Sequence, residues 1–151
     1  MFGRLLAASS LFLVAACGQA QDGALVSIEN AVITAPAVPS APGAVYFELS
    51  AASGGDHLVA VESPRAERIE LHETRTVNGV TSMAAIRAED LAFMPGEPLV
   101  FAPGGKHAML FGLDEAVRVG DRIPLTFRFG SFAPVTVEAE VRGPGQAHGE
   151  H

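Results

Sequence analysis

A histidine and a methionine two residues apart, His107 and Met109, follow a glycine-rich turn at Pro103-Gly104-Gly105. Side chains alternate between the two faces of a strand, so His107 and Met109 point the same way if this segment is a strand. An imidazole beside a thioether favours a soft metal, above all Cu(I). The pair therefore predicts one half of a copper site.

A second histidine and methionine flank the dipeptide Asn78-Gly79. Asn-Gly between two strand-like segments is typical of a two-residue β-hairpin. Ten residues separate His72 from Met83 with the turn between them, so strand pairing can bring the two side chains close on one surface. His72 also lies on the polar face of its strand, opposite Ile69 and Leu71. These four donors could hold Cu(I) without a thiolate.

The elements that must position these donors are short strands. Segments of strand character recur with turns about every ten residues, which is typical of a single-domain, all-β sandwich. Only residues 87–91 and 114–117 look briefly helical. We expect about eight or nine strands, within residues 24–34, 44–49, 57–61, 66–74, 81–86, 99–102, 107–113, 122–129 and 134–141.

The amino terminus has the anatomy of an export signal. Residues 1–16 carry a positive Arg4 followed by an apolar stretch that is too short to span a bilayer as a mature helix. Val14-Ala15-Ala16-Cys17 resembles a bacterial lipobox, which implies that Cys17 becomes the lipidated amino terminus. Residues 17–23 would then be a tether to the outer membrane, facing the periplasm. The alternative is a plain signal peptide cleaved elsewhere, with Cys17 lost or free.

Composition excludes several classes of protein. Cys17 is the only cysteine, so a monomer can form no disulfide and no cysteine-based metal site. Loss of Arg4 with the signal changes the formal net charge from -7 to -8. An acidic domain argues against nucleic acid as a partner and against a polybasic membrane contact. Any membrane association is therefore expected through the lipid anchor alone.

The arrangement of donors resembles that of the periplasmic copper chaperones of the PCu(A)C type. Their signature is a histidine, ten residues, a methionine, roughly twenty residues and then His-x-Met. The resemblance spans about Val26 to Arg142. It is carried by Leu71-His72-Glu73, Ser82-Met83 and Gly104-Gly105-Lys106-His107-Ala108-Met109-Leu110, and by the phrases Gly43-Ala44-Val45-Tyr46-Phe47, Phe111-Gly112-Leu113 and Val119-Gly120-Asp121.

This resemblance implies a cupredoxin-like, Greek-key β-sandwich over residues 24–142. It implies one Cu(I) ion bound by His72, Met83, His107 and Met109. It also implies a role in copper delivery towards the dinuclear centre of cytochrome c oxidase, with subunit II of that enzyme or another assembly chaperone as the acceptor.

The sequence departs from the family pattern in three places. The Met83-to-His107 gap of twenty-three residues is slightly longer than is common in the family. Thr74 stands where many members have another methionine, and Val32 where many have tryptophan. None of these departures removes a donor.

Other polar residues leave alternatives open. Glu70 and Glu73 flank His72 and could orient its imidazole, or could be ordinary surface charge. The tail, residues 143–151, carries His148 and His151. By resemblance to family members with histidine-rich tails, this pair could bind a second copper as Cu(II), or it could be idle.

Three other classes of function are possible for a β-sandwich. A blue-copper electron carrier requires a cysteine thiolate in its site, which this domain lacks. A metal-free structural or adhesive lipoprotein domain remains open. An enzyme is not expected, because we find no Ser-His-Asp arrangement, no paired-carboxylate motif and no phosphate-binding glycine loop.

Overall fold

The computed structural model describes residues 25–38 and 40–145. The expected signal peptide, the whole of the expected tether from Cys17 to Gly23, and the His148/His151 pair lie outside the described residues. The described chain is all-β, which confirms the expected fold class. Its ten strands are β1 Val26–Thr34, β2 Gly43–Ala51, β3 Asp56–Glu62, β4 Ala66–Val77, β5 Val80–Ala85, β6 Ala92–Phe93, β7 Leu99–Phe101, β8 Lys106–Leu113, β9 Arg122–Phe129 and β10 Val135–Arg142.

The nine expected strands are all present, and two details differ. The two-residue strand β6 was missed, since it is too short to show an alternating pattern. The brief helix expected within residues 87–91 is present as the 3-10 helix Ala88–Asp90. The expected helix at 114–117 was wrong: the Asp114 carboxylate accepts the N–H of Ala116 at 2.8 Å, forming a local turn instead.

The strands pair in the order β5-β4-β8-β2-β1-β10-β9-β3-β6, and β7 also pairs with β2. The first and last strands, β1 and β10, run parallel, while the other described ladders are antiparallel. Because β4 and β8 meet near one end of this order, residues far apart in sequence become neighbours there.

The sheet folds over so that its two halves enclose one core. Phe47 of β2 and Phe127 of β9 lie three places apart in the strand order, yet their ring centroids are 4.8 Å apart. Phe101 stacks on the other side of Phe47 at 4.3 Å. Each fully buried side chain of this size stabilises the fold by about 1.5–3 kcal/mol relative to an exposed one.

The hairpin predicted at Asn78-Gly79 is confirmed. Asn78 and Gly79 have φ values of 51° and 78°, and two positive φ values in succession are typical of a type I′ turn. Val77 pairs with Val80 across it, and the ladder continues to His72 opposite Ala85. No helix among the described residues is long and apolar enough to span a membrane.

Candidate metal centre

The two predicted histidine donors face each other across adjacent strands. His72 on β4 pairs directly with His107 on β8. Their ring centroids are 6.2 Å apart, with an angle of 28° between the ring planes. Directly opposed residues in an antiparallel pair share one face of the sheet, so both imidazoles project from the same side.

The two methionines extend this face in opposite directions. Met109 lies two residues beyond His107, in register with Glu70. Met83 pairs with Thr74, two residues from His72, and is therefore a diagonal neighbour of that histidine. Diagonal cross-strand neighbours are about 7–8 Å apart, within reach of long side chains. We call the surface formed by His72, Met83, His107 and Met109 the donor face.

The donor face is open to solvent at one edge and sheltered at its middle. Met83 lies on the terminal strand β5 and is 53% exposed. The His72 side chain, between β5 and β8, is only 15% exposed. His107 and Met109 are half-buried. An ion on this face would be reachable from one side.

A tight turn orients the His107 ring. Gly104 has φ of 81°, and the Gly105 N–H donates to the Ala102 carbonyl at 3.1 Å, as in a type II turn with proline and glycine at its centre. The Gly105 carbonyl then accepts from the backbone N–H of Thr74 at 3.0 Å and from His107 Nδ1 at 3.0 Å. Because a carbonyl only accepts, Nδ1 carries the proton and Nε2 keeps its lone pair.

This second role of Gly105 was missed from sequence. The Pro-Gly-Gly turn was identified, but a backbone carbonyl leaves no residue-type signal. The available clue was position, since the turn ends two residues before the histidine.

The two carboxylates that flank His72 in sequence have different partners. Glu70 Oε2 lies 3.2 Å from His72 Nε2, and Glu70 Oε1 accepts from Arg68 Nε at 2.8 Å. The hydrogen bond from Arg68, followed by that from His72, holds the pKa of Glu70 below its usual range. Arg68 in turn lies 4.0 Å over the ring of Phe111. Glu70 is thus fixed in contact with the donor face.

Glu73 projects from the opposite face of β4. It pairs with Arg75 and with Lys106, the latter at 3.3 Å. The hydrogen bond from Arg75 is the main cause that lowers the pKa of Glu73. Glu73 therefore makes a surface ion-pair network and does not orient His72.

The chemistry of the donor face suits a soft metal. Within the described ranges, no three His, Cys, Asp or Glu side chains are grouped so that they could hold a metal ion. A metal on this face would therefore need the thioethers, which Cu(I) accepts. His72 Nδ1 is buried and has no hydrogen-bond partner, which is consistent with a role as a metal ligand.

Solved structures share this fold. The copper-bound PCuAC domain from PmoF2 has 22% sequence identity and a TM-score of 0.61, covering 80% of this chain and 94% of that one. The solution structure of CuI-DR1885 from Deinococcus radiodurans has 23% identity and a TM-score of 0.59, covering 83% and 85%. At these identities the likeness establishes the fold, as the sequence resemblance predicted.

Sequence comparison identifies the family. A protein of Leifsonia xyli subsp. xyli, named "Putative lipoprotein Lxx21020", is 39% identical over 87 residues, which are 56% of this chain and 52% of that protein. The matched segment is thus about half the length of that relative. The family model described as "Putative lipoprotein LpqE-like" matches residues 26–141, from the start of β1 to the last residue but one of β10. The chain therefore belongs to the LpqE-like lipoprotein family.

Proposed function

We propose that this protein is a non-enzymatic copper carrier that binds one Cu(I) ion through His72, Met83, His107 and Met109. The observation that supports this most directly is the register of β4, β5 and β8. It gathers two imidazoles and two thioethers on one face, although up to thirty-seven positions separate them in sequence. Neutral imidazole and thioether together form a donor set suited to Cu(I).

Copper is the cargo of such a site, and its transfer would occur by ligand exchange. The exposed position of Met83 allows an acceptor's donors to approach from the edge of the sheet. The half-buried His107 and Met109 would retain the ion until the exchange is complete. Thioethers cannot form disulfides, so an oxidising compartment does not remove these donors by cross-linking them.

We propose its location from the amino-terminal sequence, and the lipoprotein family supports that proposal. A lipidated Cys17 would hold the domain in the periplasm, anchored to the outer membrane, in agreement with the lipoprotein names of its relatives. We propose a copper-requiring acceptor there, either subunit II of cytochrome c oxidase with its dinuclear copper centre or another assembly chaperone. His148 and His151 remain a proposed second site, for Cu(II).

X-ray absorption on the Cu(I)-loaded domain tests the donor set. We expect a mixed shell of sulfur and nitrogen. The variant with both Met83→Leu and Met109→Leu should lose the sulfur scattering and bind Cu(I) far more weakly. Met94→Leu is the matched control, because Met94 is similarly exposed, at 45%, but lies in a turn distant from the donor face in the strand order.

A shell made only of oxygen and nitrogen would contradict the proposal. So would a double variant that binds Cu(I) as tightly as the Met94→Leu control. Either result would show that the thioethers of Met83 and Met109 do not hold the ion, and the proposed donor set would fail.

A further inference from the structure

One imidazole nitrogen on the donor face lacks a partner. His72 Nδ1 is buried and makes no hydrogen bond, whereas the other ring nitrogen, Nε2, lies 3.2 Å from Glu70 Oε2. Buried polar atoms are nearly always hydrogen-bonded, because leaving one unsatisfied costs free energy. The two nitrogens of this ring are therefore in very different environments.

The position of the ring proton follows from the partner of Nε2. An ionised carboxylate can only accept, so the nitrogen that faces it must donate. The other carboxylate oxygen of Glu70, Oε1, accepts a hydrogen bond from Arg68 Nε at 2.8 Å, which fixes the carboxylate in this position. A neutral imidazole carries one proton, and with that proton on Nε2 the lone pair lies on Nδ1.

His107 has the reverse arrangement. Its Nδ1 donates to the carbonyl of Gly105 at 3.0 Å, so its lone pair lies on Nε2. The two opposed histidines therefore offer different nitrogens to the donor face, one fixed by a side chain and the other by the backbone.

We propose that Glu70 is a positioning residue that holds the His72 proton on Nε2, so that His72 binds Cu(I) through Nδ1 while His107 binds it through Nε2. The copper-binding part rests on the proposed function. The placement of the proton rests only on the contacts of His72 with Glu70 and of Glu70 with Arg68. Carboxylates that orient a ligating histidine typically improve metal affinity by about 10–100-fold.

Nitrogen-15 NMR of the metal-free protein tests the placement of the proton. In long-range proton–nitrogen spectra at neutral pH, wild-type His72 should show a protonated Nε2 whose proton exchanges slowly, and an unprotonated Nδ1. Glu70→Leu should abolish the slow exchange, and Glu70→Gln should retain it because the amide oxygen still accepts. A wild-type His72 protonated on Nδ1 would overturn the inference.

The same spectra after anaerobic Cu(I) loading test the donor atoms. Copper should shift the resonance of Nδ1 in His72 and of Nε2 in His107. Glu70→Leu should weaken Cu(I) binding about tenfold in competition with a chromogenic chelator. Glu73→Leu is the matched control, since it removes a neighbouring carboxylate from the opposite face.

Two results would overturn the inference while leaving the proposed function intact. These are a copper-induced shift at Nε2 of His72, and equal Cu(I) affinity for Glu70→Leu and Glu73→Leu. If the wild-type protein bound no Cu(I), the proposed function would fail, and the metal-free spectra would still decide where the proton lies.

Discussion

Asp56, at the start of β3, joins two distant parts of the chain. Its side chain is only 2% exposed. Oδ1 accepts from the N–H of His57, and Oδ2 accepts from the N–H groups of Ser131 and Phe132, each at 2.8 Å. We predict that Asp56→Asn substantially destabilises the domain, because an amide has only one acceptor oxygen for these three donors.

The magnitude follows from the three bonds. In the best orientation, the asparagine oxygen keeps the two donors at Ser131 and Phe132, and its NH2 group opposes the N–H of His57. Hydrogen bonds to a charged group contribute about 1.5–3 kcal/mol, and neutral ones about 0.5–1.5 kcal/mol. Losing one bond and weakening two should therefore lower the free energy of unfolding by about 4 kcal/mol, or Tm by about 15 °C.

The loss should depend on pH. Burial alone would raise the pKa of Asp56, but the backbone donors of Phe132, Ser131 and His57 outweigh it and hold the pKa below its usual range. A carboxyl whose pKa is lower in the folded state contributes stability above its unfolded pKa of about 3.9. That contribution disappears as the pH falls through the folded pKa. The difference in the free energy of unfolding between wild type and Asp56→Asn should therefore become smaller at acidic pH.

Urea denaturation at pH 7 and pH 3 measures both effects. Asp121→Asn is the control, because the Asp121 carboxylate accepts a single backbone N–H, from Arg118, at an exposed position. We expect that control to lose at most about 1 kcal/mol. The reasoning would be refuted if Asp56→Asn lowered the free energy of unfolding by less than about 1 kcal/mol at pH 7. It would also be refuted if the difference in unfolding free energy between this variant and the wild type were the same at both pH values.

Three further predictions concern the donor face. Met109→Leu should change the free energy of unfolding by less than about 1.5 kcal/mol, because the two side chains have similar volumes. The same variant should weaken Cu(I) binding more than tenfold in chelator competition. Unchanged Cu(I) affinity would show that Met109 is not a ligand. Thr74→Met places a third thioether directly opposite Met83 and should tighten Cu(I) binding several-fold in the same assay. Unchanged Cu(I) affinity would show that a side chain at position 74 does not reach the ion. At Gly104 an added Cβ would contact no atom within 4 Å, but the backbone φ is 81°. Gly104→Ala should therefore lower the free energy of unfolding by about 1 kcal/mol through backbone strain alone, measured by denaturant titration. A variant as stable as the wild type would contradict the turn assignment.

Local patterns were enough to predict most of the fold. Alternation identified the strand containing Ile69 and Leu71, and Asn78-Gly79 identified the hairpin, because both signals depend on neighbours in sequence. The two-residue strand at Ala92–Phe93 was missed, since it forms only by pairing with β3. The turn at Asp114 was mistaken for helix because a capping side chain and a helix start look alike in sequence.

The geometry of the candidate site was only partly predictable. The hairpin alone predicted that Met83 approaches His72, although the register pairs Met83 with Thr74. The pairing of β4 with β8, which sets His72 against His107, joins segments thirty-five positions apart, and no local signal specifies it. The resemblance to the PCu(A)C chaperones supplied that association instead.

The parallel pairing of β1 with β10 places the start of β1 and the end of β10 at opposite ends of the sheet. Thr34 is in register with Ala44 and with Arg142, and Ala44 is in register with Met109, so β10 ends level with Met109 of the donor face. The chain enters β1 at Val26, eight positions from Thr34, or about 26 Å along the strand at about 3.3 Å per residue. Met109 is therefore level with the end of β10, whereas Val26, at the start of β1, lies towards the opposite end of the sheet.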